Sequence, residues 1–244
     1  MNYDTVSKGG GGDFSLTSRL WRDSLRKRLK AMKADTNKVI IFDCDGVLFD
    51  SKEANIAFYN QILSQFHLPP LTAAEVEYVH ISTAEEALRY LLARRNPRDA
   101  EEVLAHRPHV DYTPFIHLMR MEPHLRELLS ALPRRIKRAV STNRSYTIGD
   151  VLRIHGLEGE FDLVVSALDV KNPKPDPESA LKILQHFAIA PSQALFVGDS
   201  TTDQQAAQGA GIPFIAYKNP SLQADYYIDD LLAVREIVAR RERV

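Results

Sequence analysis

The sequence predicts an α/β protein: a parallel sheet with helices on both faces, opened after its first strand by a helical insert. Three observations lead there. Short apolar, β-branched runs alternate with helical stretches, first at Val39-Ile40-Ile41-Phe42 and again from residue 136 onward, the pattern of strands joined by helical crossovers. Residues 51–131 hold almost no strand signal and are longer than one crossover needs. The predicted strands also end in carboxylates, a hydroxyl and a lysine, where a plain structural sheet would end in turn residues.

The elements follow in order. The tetraglycine Gly9 to Gly12 makes residues 1–13 a flexible tail. Leu16, Leu20, Leu25, Leu29 and Met32 then recur at close to helical spacing with Arg and Lys between them, a basic amphipathic helix of roughly 15–20 residues. Its apolar stripe is suited to packing on the main body or on a second subunit; membrane-surface or nucleic-acid contact are the alternative uses. Residues 1–37 thus form a tail and helix whose partner the sequence leaves open. The first strand ends abruptly in Asp43-Cys44-Asp45-Gly46. Helices are expected at 53–66, 84–95 and 112–121, punctuated by Pro69, Pro70, Pro97 and Pro108, so that 51–131 is an inserted helical subdomain. Residues 38–50 and 132–244 make the core, with strands at 136–141, 161–165, 194–197 and 213–216. Helices are expected at 145–155, 176–187, 201–210 and 229–243.

The composition bounds the function. With 244 residues, Lys+Arg 31 against Asp+Glu 32 and 44% hydrophobic residues, the chain is an ordinary globular one, long enough for one domain with an insertion. The single cysteine, Cys44, excludes an internal disulfide and a cysteine-based zinc cluster. No apolar stretch approaches the ~20 residues that cross a bilayer, and the N-terminus lacks the apolar core of a secretory signal. A cytoplasmic location, as monomer or homodimer, is the expectation. Residues 1–38 hold nine basic and four acidic residues, a net +5 that leaves −6 on the remainder. An acidic main body argues against a nucleic-acid partner, because phosphate-backbone affinity needs a basic face.

Binding sites on open parallel sheets lie beyond the carboxyl ends of the strands. Those ends carry Asp43 and Asp45; Ser141, Thr142 and Asn143; Lys174 in the loop after the third strand; and Asp199 with Asp203. Carboxylates gathered at one sheet end repel one another, and a hard cation such as Mg²⁺ relieves that repulsion. Asp43 and Asp45 are two apart, so on extended chain they share a side while Cys44 points away, into packing. One carboxylate can attack phosphorus while the other protonates the leaving oxygen and then deprotonates water, help worth roughly 10²–10⁴-fold. Phosphate-monoester hydrolysis needs enhancements up to about 10²¹, so charge stabilisation must supply most of the rest, and Mg²⁺, Lys174 and the Thr142 hydroxyl are the groups at hand.

In this order, Asp43-Cys44-Asp45-Gly46-Val47-Leu48-Phe49-Asp50-Ser51, Ala139-Val140-Ser141-Thr142-Asn143-Arg144, Lys174-Pro175-Asp176-Pro177-Glu178 and Val197-Gly198-Asp199-Ser200-Thr201-Thr202-Asp203 resemble the four motifs of the haloacid dehalogenase superfamily. The resemblance is to the branch with a helical cap after the first strand, covers about residues 38–240, and implies a Rossmann-like core. It implies Asp43 as nucleophile and Asp45 as general acid/base, the Asp45 backbone carbonyl and Asp199 joining Asp43 around Mg²⁺, and Asp203 supporting that shell. Thr142 and Asn143 would hold the phosphoryl oxygens and Lys174 would neutralise nucleophile and phosphate; between Ser141 and Thr142, the following Asn-Arg favours Thr142. Asp45 argues for phosphate chemistry over dehalogenation, which needs no acid for an alcohol leaving group. The chain is most similar to phosphoglycolate phosphatase-like enzymes, whose substrates are small phosphorylated metabolites chosen by the cap. It departs at Met121-Glu122-Pro123-His124, where relatives place a glycine after the proline, and in the N-terminal arm, which the family does not require.

The leading expectation is therefore a Mg²⁺-dependent phosphatase acting on a phosphoglycolate-like or sugar phosphate through an aspartyl phosphate. A phosphosugar mutase would share every catalytic residue, and a non-enzymatic scaffold docking a partner through the N-terminal helix is the alternative from another class. A phosphoaccepting receiver domain lacks the helical insertion. Arg89, Arg94 and Arg95 are candidates for a second anionic group, or else a solvated helix face. His106 and His109 are three apart but interrupted by Pro108, which argues against a metal site.

Overall fold

A computed structural model describes residues 37–95 and 111–242. The expected tail and basic helix lie outside the described residues, as do His106 and His109. Strand β1 (Val39–Phe42) is fully buried along its length: Ile40 and Phe42 belong to one apolar cluster, Val39 and Ile41 to another. A strand with no polar side chain on either face belongs inside a parallel sheet covered on both sides. That sheet adds β4 (Lys137–Ser141), β5 (Leu163–Val165), β6 (Ala194–Gly198), β7 (Phe214–Tyr217) and β8 (Tyr226–Ile228), all parallel, in the order β5-β4-β1-β6-β7-β8. The chain moves outward through β4 and β5 on one side of β1 and through β6, β7 and β8 on the other, which opens a crevice at the carboxyl ends of β1 and β6. Phe42 stands level with Val140 and Val197, so Asp43, Thr142 and Asp199 leave the sheet along one edge.

The insert begins and ends on a two-stranded antiparallel ribbon, β2 (Phe49–Asp50) against β3 (Arg120–Met121). Between them run α1 (Lys52–Gln65), α2 (Ala73–Ile81), α3 (Ala84–Arg95) and α4 (Thr113–Ile116). Ile62, Leu63, Leu88 and Leu91 are fully buried and continuous with the cluster under Ile40 and Phe42. The expected segment 51–131 also contains α5 (Leu125–Ala131), which packs beside α9 (Ala233–Arg241). In the core, α6 (Ile148–Ile154) shares a sheet face with α5 and α9. The opposite face is covered by α7 (Glu178–Phe187) and α8 (Thr201–Gly209), through Ala180, Ile183, Leu184 and Ala207. Among the described residues no helix is long and apolar enough to cross a membrane.

Three differences from the sequence reading have physical causes. Helix α2 was not expected, yet Thr72 accepts from the Glu75 N–H and Glu75 accepts from the Thr72 N–H, a reciprocal cap legible in Thr72-Ala-Ala-Glu75. The expected helix 112–121 stops after four residues, because Arg120 and Met121 are drawn into the ribbon with β2. The three-residue β8 at the sheet edge carried too little apolar alternation to be read. At the departure from the family pattern, His124 adopts φ 61, the left-handed region where glycine costs least, and its Nδ1 lies 2.9 Å from Asp230 Oδ2.

Within the insert, Glu75 is gripped by Arg95 through both carboxylate oxygens, Nη2 donating to Oε2 at 2.7 Å, while Arg95 also donates to the carbonyls of Pro69 and Pro70. Both side chains are buried. The Arg95 hydrogen bonds hold the Glu75 carboxyl down to about 2. A depressed carboxylate stabilises the fold fully above its unfolded pKa of about 4.3 and loses that contribution as pH falls toward the folded value. Glu75→Gln is therefore expected to cost about 3 kcal/mol at pH 7, as removing one partner of a buried pair does. Urea denaturation followed by circular dichroism should show that gap narrowing from about pH 5 downward and closing only below about pH 2.

Candidate active site

Asp43 is the first residue beyond β1, its N–H donating to the Val197 carbonyl at 3.0 Å, so neighbouring β6 holds its backbone. Lys174 reaches the same point: its buried Nζ lies 2.7 Å from Asp43 Oδ1 and donates to Asp203 Oδ1 at 2.6 Å and to the Ser141 carbonyl at 2.9 Å. Asp203 is fully buried at the start of α8, where its Oδ2 accepts from the Ser200 hydroxyl at 2.5 Å and the Ser200 N–H at 3.2 Å. Carboxylate oxygens of Asp43, Asp199 and Asp203 all lie within 4.8 Å of one another. One ammonium thus pairs with two of these three carboxylates. Burial and the neighbouring Asp203 charge push the Asp43 carboxyl up to about 7 against the pull of Lys174. Burial, with Asp203 and Asp43 beside it, raises Asp199 well above the carboxylate range.

The donor set fits a hard divalent cation. It is all oxygen, its excess charge is two negatives, and the backbone clears space for it. Gly46 has φ 81, and a Cβ there would stand 2.0 Å from Asp199 Oδ2; at Gly198 a Cβ would stand 2.3 Å from Asp203 Cβ. Both oxygens of Asp203 are already engaged, which leaves Asp43 and Asp199 to face an ion directly.

Asp45 belongs to a second network. Its Oδ1 accepts from the Ser51 hydroxyl, the N-cap of α1, and from Arg144 Nη2 at 2.6 Å. Burial alone would raise the Asp45 carboxyl, but the Arg144 guanidinium outweighs it and holds the group below its ordinary value. Arg144 Nη2 also donates to the Tyr112 hydroxyl at 3.1 Å, that hydroxyl donates to Asn55 Oδ1 at 2.6 Å, and the guanidinium lies 4.8 Å from the Tyr112 ring centroid. Core and insert therefore meet at Asp45.

Asp43, Asp45, Asn143, Lys174 and Asp199 wall one cavity of about 250 Å³. Its far side comes from the insert, through Phe58, Tyr59, His80 and Tyr112. Of the expected site residues, Asp203 sits behind the wall, where Lys174 reaches it, and Thr142 lies buried beside it, its Oγ1 accepting the Arg144 N–H at 3.0 Å. The Ser141 hydroxyl is 2.8 Å from Ser179 Oγ on the other side of the sheet, so Thr142 is the hydroxyl on the site's side. Cys44 is buried in the core beside Phe42, and burial raises its thiol pKa. Arg89, Arg94 and Arg95 do not wall the cavity: they meet Glu85, the Tyr90 ring and Glu75. Sequence reasoning assigned no role to Arg144, Asn55, His80 or Tyr112. Arg144 is the last residue of a recognised motif and was within reach, whereas the other three gain meaning only from the packing of the insert.

The family pattern of haloacid dehalogenase-like hydrolases matches residues 40–217. A phosphorylated carbohydrates phosphatase of Thermotoga maritima is 30% identical over 178 residues, 72% of this chain and 82% of that protein. A phosphoglycolate phosphatase of Pseudomonas putida is 29% identical over 182 residues, 72% of this chain and 67% of that one. The crystal structure of a haloacid dehalogenase-superfamily hydrolase of subfamily IA from Geobacter sulfurreducens superposes with a TM-score of 0.68 at 40% identity, covering 83% of this chain and 96% of that one.

Gly46→Ala tests the cleared space. Its methyl group displaces the Asp199 carboxylate and is expected to weaken Mg²⁺ binding at least about tenfold, the scale seen when a metal ligand loses its support. Calorimetric titration checks it, with Gly149→Ala, which meets nothing within 4 Å, keeping wild-type affinity.

Proposed function

The chain belongs to the haloacid dehalogenase-like hydrolase family, and from that premise we propose that it is a Mg²⁺-dependent phosphatase cleaving small phosphomonoesters through a phosphorylated Asp43. The observation that carries the reading is the buried Asp43 held by Lys174 at 2.7 Å, with Asp45 and Asp199 on the wall of the same cavity. Asp43, the Asp45 carbonyl and Asp199 would hold Mg²⁺, which would supply charge neutralisation for the phosphoryl oxygens and the clustered carboxylates. Lys174 aims one Asp43 oxygen, and its charge favours the ionised form against the burial and the Asp203 charge that raise the carboxyl. Asp43 attacks phosphorus, the bond from phosphorus to the ester oxygen breaks, and Asp45, once it has taken up a proton against the pull of Arg144, passes that proton to the departing alkoxide. Water then attacks the aspartyl phosphate, Asp45 takes the proton from it, and Asp43 is regenerated as phosphate leaves. Thr142 and the Asn143 backbone N–H hold phosphoryl oxygens; the Asn143 side-chain N–H₂ is already donating to the Lys174 carbonyl at 2.9 Å. Asp203 fixes Lys174 from behind. Relatives named for phosphorylated carbohydrates and for phosphoglycolate support the reading of a small phosphomonoester as substrate.

Phosphate release from an aryl phosphate and from small alkyl phosphomonoesters, with Mg²⁺ and with a chelator, tests the reading. Turnover should need the metal and fall to background in Asp43→Asn. Asp45→Asn should lose roughly 10²–10⁴-fold on alkyl esters and less on the aryl ester, whose leaving oxygen needs little protonation. Turnover surviving in Asp43→Asn would sink the phosphoaspartyl route.

A further inference from the structure

Asp45 is held by one of its two oxygens. Its Oδ1 accepts from the Ser51 hydroxyl and from Arg144 Nη2 at 2.6 Å, and among the described residues no hydrogen bond reaches Oδ2. The side chain walls the cavity and keeps 13% of its surface exposed there. One oxygen is tied down by the protein, and the other is left for what enters.

Arg144 sets this asymmetry, because its buried guanidinium has little freedom to turn. Nη1 donates to the Thr147 hydroxyl at 3.3 Å, Nη2 divides its two N–H bonds between Asp45 and the Tyr112 hydroxyl at 3.1 Å, and the Tyr112 ring centroid lies 4.8 Å from the guanidinium carbon. A planar fork engaged on several sides fixes the oxygen that it grips. The contacts then return to their start. The Tyr112 hydroxyl donates to Asn55 Oδ1 at 2.6 Å, Asn55 Nδ2 lies 3.5 Å from Ser51 Oγ, and Ser51 donates to Asp45. Two members of this ring, Asp45 and Arg144, belong to the core, and Ser51, Asn55 and Tyr112 belong to the insert. Asn55 and Tyr112 are 57 positions apart, so the ring closes only where α1 and the start of α4 are packed together against the core. An acid that must pass a proton to one particular oxygen gains from such constraint, since a misplacement of about 1 Å costs on the order of 10²-fold in rate.

Resting on the phosphatase reading, we propose that Arg144 and Tyr112 are positioning residues for the acid. Arg144 holds Asp45 by Oδ1, so that Oδ2 is the oxygen that carries the proton to the leaving oxygen, and Tyr112 ties that hold to the insert. Neither residue touches Asp43, which is held separately by Lys174 and the Val197 carbonyl. Their contribution therefore falls on leaving-group protonation and not on attack.

The test measures kcat and KM of the full chain with Mg²⁺ on glycerol 1-phosphate, an alkyl ester, and on para-nitrophenyl phosphate, whose leaving oxygen needs little protonation. In Arg144→Met the ratio of alkyl to aryl kcat/KM should fall about tenfold or more, with the loss in kcat. Tyr112→Phe removes one hydroxyl and keeps the ring, and should lower the same ratio about threefold, again through kcat. On an Asp45→Asn background neither replacement should move the ratio further, because the acid they position is gone. A side chain that only held the fold together would slow both esters alike, with or without Asp45. Equal losses on the two esters, an alkyl rate that rises in Arg144→Met, a loss confined to KM, or a loss undiminished on the Asp45→Asn background each overturns the proposal. If Arg144→Met does not fold by circular dichroism, Tyr112→Phe decides alone. Wild-type turnover that is abolished in Asp43→Asn, with the ester ratio unmoved by either replacement, overturns this proposal and leaves the phosphatase standing. No wild-type turnover of either ester removes both.

Discussion

The site is organised around one buried ammonium. Lys174 Nζ spends its hydrogen-bonding capacity on Asp43, Asp203 and the Ser141 carbonyl, and so ties the ends of β1 and β4 to the first turn of α8. An ammonium this deep is stable only because two carboxylates surround it; burial alone would lower its pKa, and Asp203 and Asp43 reverse that. The register of the sheet follows the same demand. Phe42 must stand level with Val140 and Val197 for the three loop starts to meet one lysine. With Asp199 added, the fully ionised cluster carries two more negative charges than positive ones, an imbalance relieved either by a cation or by protons on the raised Asp43 and Asp199 carboxyls.

The insert acts on this cluster through Asp45. That side chain lies on the cavity wall with Asp43, yet its partners are Ser51, where the first helix of the insert begins, and Arg144, which reaches back to Tyr112 and Asn55. Glu75 and Arg95 brace α2 against the end of α3 and so hold the stretch that presents His80. The core determines where phosphorus sits, and the insert determines what surrounds the oxygen that leaves.

Legibility in the sequence divided along the same line. β1, β6 and β7 were readable because each is a short apolar run buried on both faces, unlike the half-exposed β8, and Asp43 and Asp199 were readable because they follow such runs directly. Asp43, Asp45, Lys174, Asp199 and Asp203 all fall where strand ends and a parallel sheet require. Thr142 was harder, since Ser141 beside it is also a hydroxyl, and only the strand's alternation, which turns Ser141 toward Ser179, separates them. The insert resisted because its meaning is non-local. His80 and Tyr112 lie 32 positions apart along the chain and more than 30 residues from either aspartate, and no periodicity announces that they share a wall with Asp45. Helix α2 was a different failure: its capping box was present and went unread.

The position of the insert has a physical logic. On the proposed assignment, nucleophile, acid and the hinge of the insert occupy one short stretch, Asp43, Asp45 and Ser51, within which Gly46 at φ 81 turns the chain under Asp199. Because the Ser51 hydroxyl binds Asp45, a displacement of α1 relative to the sheet would carry a partner of the acid with it, while Asp43 stays anchored to the Val197 carbonyl of β6. Placing the insert here lets whatever fills the cavity act on the proton donor without disturbing the nucleophile. An insert after β4 or β6 could enclose the same volume, but it would hang from Thr142 or Asp199 and couple leaving-group recognition to the phosphoryl and metal contacts. Those contacts must stay unchanged from one substrate to the next, whereas the acid has to follow the leaving oxygen.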